Sequence, residues 1–173
     1  MFIAIFSTLV ALLHAYLWQR LVRSPDLGAS FARIGGRTLV ALAVLLPAGL
    51  LASRVLPRSA SSVVSWASFL WFGIAVVLFF LLLGSELIRA LVHAASFVGV
   101  GGPMNVERRQ FLSRAIAAGV GAIGVLVSGA GFAAATGPVR IERVLVKLKR
   151  FPAKLRGFRV VQITDLHIGP TLG

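Results

Sequence analysis

Four long apolar stretches, separated by short arginine-bearing breaks, constrain this chain more than anything else in it. Crossing the hydrocarbon core of a bilayer as a helix takes about 20 consecutive apolar residues, and each stretch is close to that length. The first runs from Phe2 to Leu17 and extends through Trp18 to Val22. It lacks the basic leading region of a cleavable secretory signal and reads as a retained helix. The second spans about Ile34 to Leu56 and contains Pro47, whose missing N–H predicts a kink unless a neighbouring helix satisfies the freed carbonyl. The third spans about Val63 to Leu91, with Trp66 and Trp71 near its start as expected interfacial anchors. The fourth, about Phe111 to Ala135, is built of Ala, Gly, Val and Ser and is only moderately apolar. Its pairs Ala115 with Gly119 and Gly124 with Ser128 would let another helix approach closely; the alternative is a merely weakly apolar segment.

Composition agrees. With 58% hydrophobic and 13% charged residues over 173 positions, the chain fits an integral membrane protein and not a water-soluble domain. The net charge of +13 does not imply nucleic acid, and none is expected as a partner, because much of the Lys and Arg flanks apolar stretches, as in membrane proteins generally. Cys is absent, which excludes disulfides and thiolate metal sites.

The positive charges orient the spans. Arg20, Arg23, Arg33 and Arg37 surround the first break, and Arg89, Arg108, Arg109 and Arg114 the third, against Arg54 and Arg58 at the second. The first and third loops are therefore expected in the cytoplasm, and an even number of spans puts both termini outside. A plain charge count of the tail (Arg140, Arg143, Lys147, Lys149, Arg150, Lys154, Arg156, Arg159) opposes this. Long domains are translocated regardless of charge, so the outside placement is favoured.

Ahead of the fourth stretch stands Glu107-Arg108-Arg109-Gln110-Phe111-Leu112-Ser113, and after it Ala133-Ala134-Ala135. The paired arginines, the Phe-Leu, the modest hydrophobicity and the closing small residues resemble a twin-arginine export signal. The resemblance implies that Arg108, Arg109, Phe111 and Leu112 are read by the twin-arginine export machinery. An export signal normally opens a protein, whereas this one follows three helices; the bland alternative is the basic flank of an ordinary helix.

Beyond Gly137-Pro138 the period changes. Val144, Val146 and Leu148 alternate with Leu145, Lys147 and Lys149, the pattern of a half-exposed strand, while Val139 and Ile141 carry the opposite parity and predict a bulge near Glu142-Arg143. A turn is expected over 151–157. From Phe158 to Thr164 apolar residues fall on both parities, as in a strand buried on both faces of a layered α/β domain. Asp165 and His167 follow directly, at the carboxyl end of that strand, where open α/β sheets gather their reactive groups. Two residues apart in extended chain, they can offer a carboxylate oxygen and an imidazole nitrogen to one cation.

The stretch from Leu148 through Gly173, with its Leu-Arg-Gly-Phe turn, apolar strand, Asp-x-His and Gly-Pro, resembles the start of a calcineurin-like metallophosphoesterase, in the membrane-anchored bacterial branch with a twin-arginine or transmembrane anchor. That resemblance implies a four-layer α/β sandwich, phosphoester hydrolysis, and Asp165 and His167 as ligands at a centre of two divalent metal ions, Mn, Fe or Zn. Two such cations about 4 Å apart lower the pKa of a shared water and hold phosphate oxygens for in-line attack. The family's further ligand motifs, Gly-Asp-x-x-Asp and Gly-Asn-His, do not occur in these 173 residues, so the length given is expected to be inactive alone.

The expected organisation is thus a predominantly α, four-helix transmembrane bundle followed by the first β-strands of a truncated α/β domain: 1–103 a three-helix membrane region, 104–137 the twin-arginine-like segment with the fourth helix, and 138–173 the incomplete phosphoesterase start. The bacterial inner membrane is the expected location, multi-pass, with the C-terminal part on the periplasmic or extracellular side. The alternative is a small non-enzymatic polytopic protein with a basic tail on membrane lipid. Within the spans, His14 is expected as a neutral imidazole bonded to a neighbouring helix, and Glu86 with Arg89 as an i, i+3 pair. Gly99 to Pro103 lacks a phosphate-loop pattern.

Overall fold

The computed structural model describes residues 1–97, 105–138, 141–146, 152, 154 and 157–163. Its helices, in chain order, are α1 (Phe2–Leu17), continued by a π-helical turn (Trp18–Arg23), α2 (Ala29–Val55), α3 (Arg58–Phe97) and α4 (Val106–Ala135). Four helical segments are long and apolar enough to cross a membrane: Phe2–Arg23, Ala29–Ala52, Arg58–Leu91 and Val106–Ala135. The chain is a multi-pass membrane protein on this basis. At most 17% of any span is buried inside the bundle, and the exposed remainder is largely apolar, including Leu9, Leu12, Val40, Val44, Phe80, Leu83, Val125 and Leu126. Such a surface suits hydrocarbon and not water.

α3 is the axis of the bundle. It packs most extensively on α2 and next on α4, with a smaller contact to α1. The core combines Leu17, Val22 and Leu39 with Ala75, Leu78, Leu82 and Val120. Along the α2–α3 seam the buried residues of α3 are Ser61, Ser65 and Ser68, at helical spacing on one face, and Ala52 and Gly49 answer them from α2. A Cβ added at Gly49 would overlap the Ser68 side chain, so the backbones meet at a distance only glycine permits. Lipid tails are as apolar as leucine, which leaves close packing and interhelical hydrogen bonds to hold such helices together. The Ser68 hydroxyl lies 2.9 Å from Leu45 O across the seam and 2.7 Å from Val64 O on its own helix, sharing one proton between them. α2 runs through Pro47 as one helix, and the hydroxyl of Ser68 bonds it two residues before the proline, at Leu45 O.

The helix ends extend past the apolar stretches. Ala29–Arg33, Arg58–Ser62 and Val106–Gln110 are helical, although hydropathy marks only the part of a helix that sits in hydrocarbon. α4 has a side-chain cap, Arg108 N–H donating to Asn105 Oδ1 at 2.9 Å. Two features bend the first connection: Asp26 has φ 48°, in the left-handed region that Asp tolerates, and Gly28 at φ 95° begins α2. The π-helical turn before it widens the helix by one residue, with Ser24 N–H donating to Gln19 O at 2.9 Å, and it brings the Arg23 guanidinium 5.7 Å from the centre of the Trp18 ring.

The expected strands are not formed in the described parts of the tail. Residues 141–146 and 158–163 pair with nothing among the described residues, and Ile141, Val144, Leu145, Val146, Val160 and Val161 are each at least 69% exposed. A strand is held by its ladder partners, and none stands beside these residues among the described ones.

Candidate functional site

The helices run alternately, so the first and third connections share one end of the bundle, and polar side chains tie that end together. Arg20, delivered by the π-helical turn, meets Glu86 of α3 at 2.6 Å. The pair is about three-quarters buried, where attraction is less screened than on a wet helix surface. This corrects the expected pairing of Glu86 with Arg89 on one helix: the partner comes from the π-helical turn that continues α1. Arg114, one turn into the apolar part of α4, reaches back to the first connection and donates from Nε to Pro25 O at 2.9 Å and from Nη2 to Asp26 O at 3.0 Å. The left-handed Asp26 helps turn those carbonyls toward it. Of the ten arginines between residues 20 and 114, eight (20, 23, 33, 37, 89, 108, 109 and 114) belong to this end, and Arg54 and Arg58 to the other. The charge asymmetry read from sequence is therefore a property of the assembled bundle.

At the start of α4 the arginine pair stands clear of the other helices. Arg108 and Arg109 are exposed on its first turn, and Phe111 and Leu112 follow at 69% and 39% exposure. All four residues of the export-like motif are therefore helical and accessible at the arginine-rich end, and Arg114, just beyond them, is engaged.

Inside the membrane region His14 is 4% exposed. Trp71 Nε1–H donates to its Nε2 at 2.9 Å, and its Nδ1 lies 2.8 Å from Val10 O. Because Nε2 accepts, the ring proton sits on Nδ1 and donates to Val10 O, which fixes a neutral imidazole with both nitrogens used. The expected neutral, bonded histidine is what the bundle holds. The Trp71 N–H is committed to α1, whereas Trp66 packs edge-on against Phe132 of α4, with ring centroids 6.3 Å apart.

The small residues of α4 divide into two sets. Gly124 faces α3, and a Cβ there would meet Leu78 Cδ2; Val120 and Ser113 are buried nearby on the helix. Gly119, Gly121, Gly129 and Gly131 have nothing within contact distance. Of the two expected close-packing pairs, then, Gly124 of the second pair is used and Gly119 of the first is open.

Asp165 and His167 lie outside the described residues, as does the Gly99 to Pro103 turn. Among the described residues no three His, Asp or Glu side chains gather as a metal group. A carboxylate and an imidazole suit Mn, Fe or Zn equally, and two donors do not complete a coordination sphere, so further ligands would have to join them.

No protein-family model matches the chain, and no curated protein and no solved structure is significantly similar to it.

Proposed function

We propose that this chain is the membrane anchor and opening segment of a metal-dependent phosphoesterase, with the hydrolytic part on the periplasmic or extracellular side of a bacterial inner membrane. The observation that carries this reading is the run Phe158-Arg159-Val160-Val161-Gln162-Ile163-Thr164-Asp165-Leu166-His167, an apolar strand pattern ending in a carboxylate and an imidazole two residues apart. Asp165 would supply an anionic oxygen ligand and His167 a neutral nitrogen. A bound pair of divalent cations would supply Lewis acidity and an acidified water. The eight arginines at one end of the bundle support a cytoplasmic placement of that end, which sends the tail to the other side. The exposed arginine pair of α4 supports recognition by twin-arginine export machinery.

The test has three parts. A phosphatase reporter fused after Gly173 should be active, and activity only from a cytoplasm-dependent reporter would reverse the sidedness. The reading frame beyond Gly173 should encode Gly-Asp-x-x-Asp and Gly-Asn-His. In that longer protein, Asp165→Ala and His167→Ala should each lower metal content and phosphodiester turnover by at least the 10- to 100-fold typical of disturbed metal ligation. Full metal occupancy in both variants would remove the ligand roles. A frame closing at Gly173 would leave the second reading, a polytopic protein without catalysis.

A further inference from the structure

Trp18 opens the π-helical turn at the arginine-rich end of the bundle. α2 comes close to it there because it carries two successive glycines: a Cβ added at Gly35 would meet Val22 at 3.0 Å, and one at Gly36 would stand 3.3 Å from Trp18 Nε1. The indole nitrogen therefore lies against bare backbone. An indole N–H usually finds a partner, as that of Trp71 does in His14, yet the N–H of Trp18 makes no hydrogen bond among the described residues. Cations stand around it. The Arg23 guanidinium lies over the ring, 5.7 Å from its centroid. Arg33 and Arg37, three residues before Gly36 and one after, fall on the flank of α2 next to that glycine, one turn apart. Both are exposed, and Arg33 engages only its Nε, donating to Ala29 O at 3.4 Å. Neither forms an ion pair among the described residues, and like charges at this spacing disfavour a helix. Span orientation requires basic residues at this end, but not that they gather beside one unpartnered indole N–H. Val40 and Val44 continue the same flank toward the bilayer centre and are 65% and 62% exposed.

We infer that Trp18, Arg23, Arg33 and Arg37 form a binding site for the phosphodiester of an anionic lipid headgroup. The indole N–H donates to one phosphate oxygen, and the guanidiniums of Arg33 and Arg37 supply charge and paired donors that match the phosphate geometry. Arg23 stays on the ring and adds charge. Basic pockets between spanning helices hold anionic headgroups in this way. Val40 and Val44 give the acyl chain an apolar strip directly below the cations, which favours a lipid over a soluble phosphate. The inference needs neither the phosphoesterase reading nor any residue beyond α4.

The full chain, purified in a neutral detergent, is mixed with equal amounts of phosphatidylglycerol and phosphatidylcholine, and the lipid it retains is read by native mass spectrometry. Phosphatidylglycerol should be kept in preference. Arg33→Gln and Arg37→Gln should each weaken its retention by about fivefold, and Trp18→Phe, which keeps a ring under Arg23, by about threefold, while circular dichroism shows the helices intact. Arg89→Gln removes the same charge from α3 at the same end and should leave retention unchanged. Three outcomes overturn the inference: equal retention of the two lipids; a loss at Arg89→Gln as large as at Arg33 and Arg37, which would reduce the site to a diffuse field of charge; or displacement by inorganic phosphate at matched ionic strength, which would assign it to a soluble anion.

Discussion

The α2–α3 seam and the α4 helix both depend on small residues and use them differently. In the seam Gly49 sits under Ser68, and Ala52 and Ser65 are buried to 5% and 1% exposure. In α4, Gly124 receives Leu78 while Gly119, Gly121, Gly129 and Gly131 open onto empty space. Glycine in a helix interior costs up to about 1 kcal/mol relative to alanine. The seam recovers that cost as close packing. The open glycines of α4 recover nothing among the described residues of the bundle. One hairpin is built to stay together; the last helix leaves most of its glycines open.

Substitutions can break or sharpen this contrast. The largest effect is expected at Gly49→Val, which forces branched carbons into the Ser68 side chain and should lower resistance to unfolding in detergent by about 3 kcal/mol. A small effect would mean that the seam is looser than its geometry. Arg114→Ala removes both bonds from α4 to the first connection. A loss of about 2 kcal/mol is expected, together with faster proteolysis at the start of α4; unchanged cleavage there would show that Arg114 does not hold that helix. Gly124→Ala pushes against a flexible Leu78 methyl and should cost about 1 kcal/mol, measured by the same unfolding curves. Gly129→Ala meets nothing and should act in the opposite direction, stabilising by somewhat under about 1 kcal/mol; destabilisation would reveal a contact on that face. Replacing Arg108 and Arg109 with Lys should leave stability unchanged, since both are exposed, yet abolish delivery of a reporter fused after Gly173. Normal delivery would reduce the pair to an ordinary basic flank.

The bilayer-spanning architecture was legible because composition alone reports which residues can sit in hydrocarbon. Phe2 to Leu17 is one helix in sequence and in structure, and the other three run past their apolar stretches, α4 beginning at Val106 where its apolar stretch begins at Phe111. The ties between helices were less legible. Trp71 to His14, Arg20 to Glu86 and Arg114 to Pro25 join residues that are far apart in the chain, and no local pattern encodes which arginine finds Glu86. The neutral state of His14 was readable, because an isolated charge in lipid is costly; its partner was not. Glycines could be counted but not sorted into used and open, since that depends on where Leu78 and Ser68 arrive. The metal half-site rests on Asp165 and His167, whose reading remains one of sequence.

The Arg114 contact also sets an order of events. Its acceptors, Pro25 O and Asp26 O, leave the ribosome 89 and 88 residues ahead of the guanidinium that binds them. Three helices must therefore be synthesised before the tie can form, and those carbonyls depend on water at the membrane edge until then. Closure of this bundle is a late step in biogenesis, completed when the fourth helix arrives, and a chain stopped short of residue 114 leaves its first turn untied.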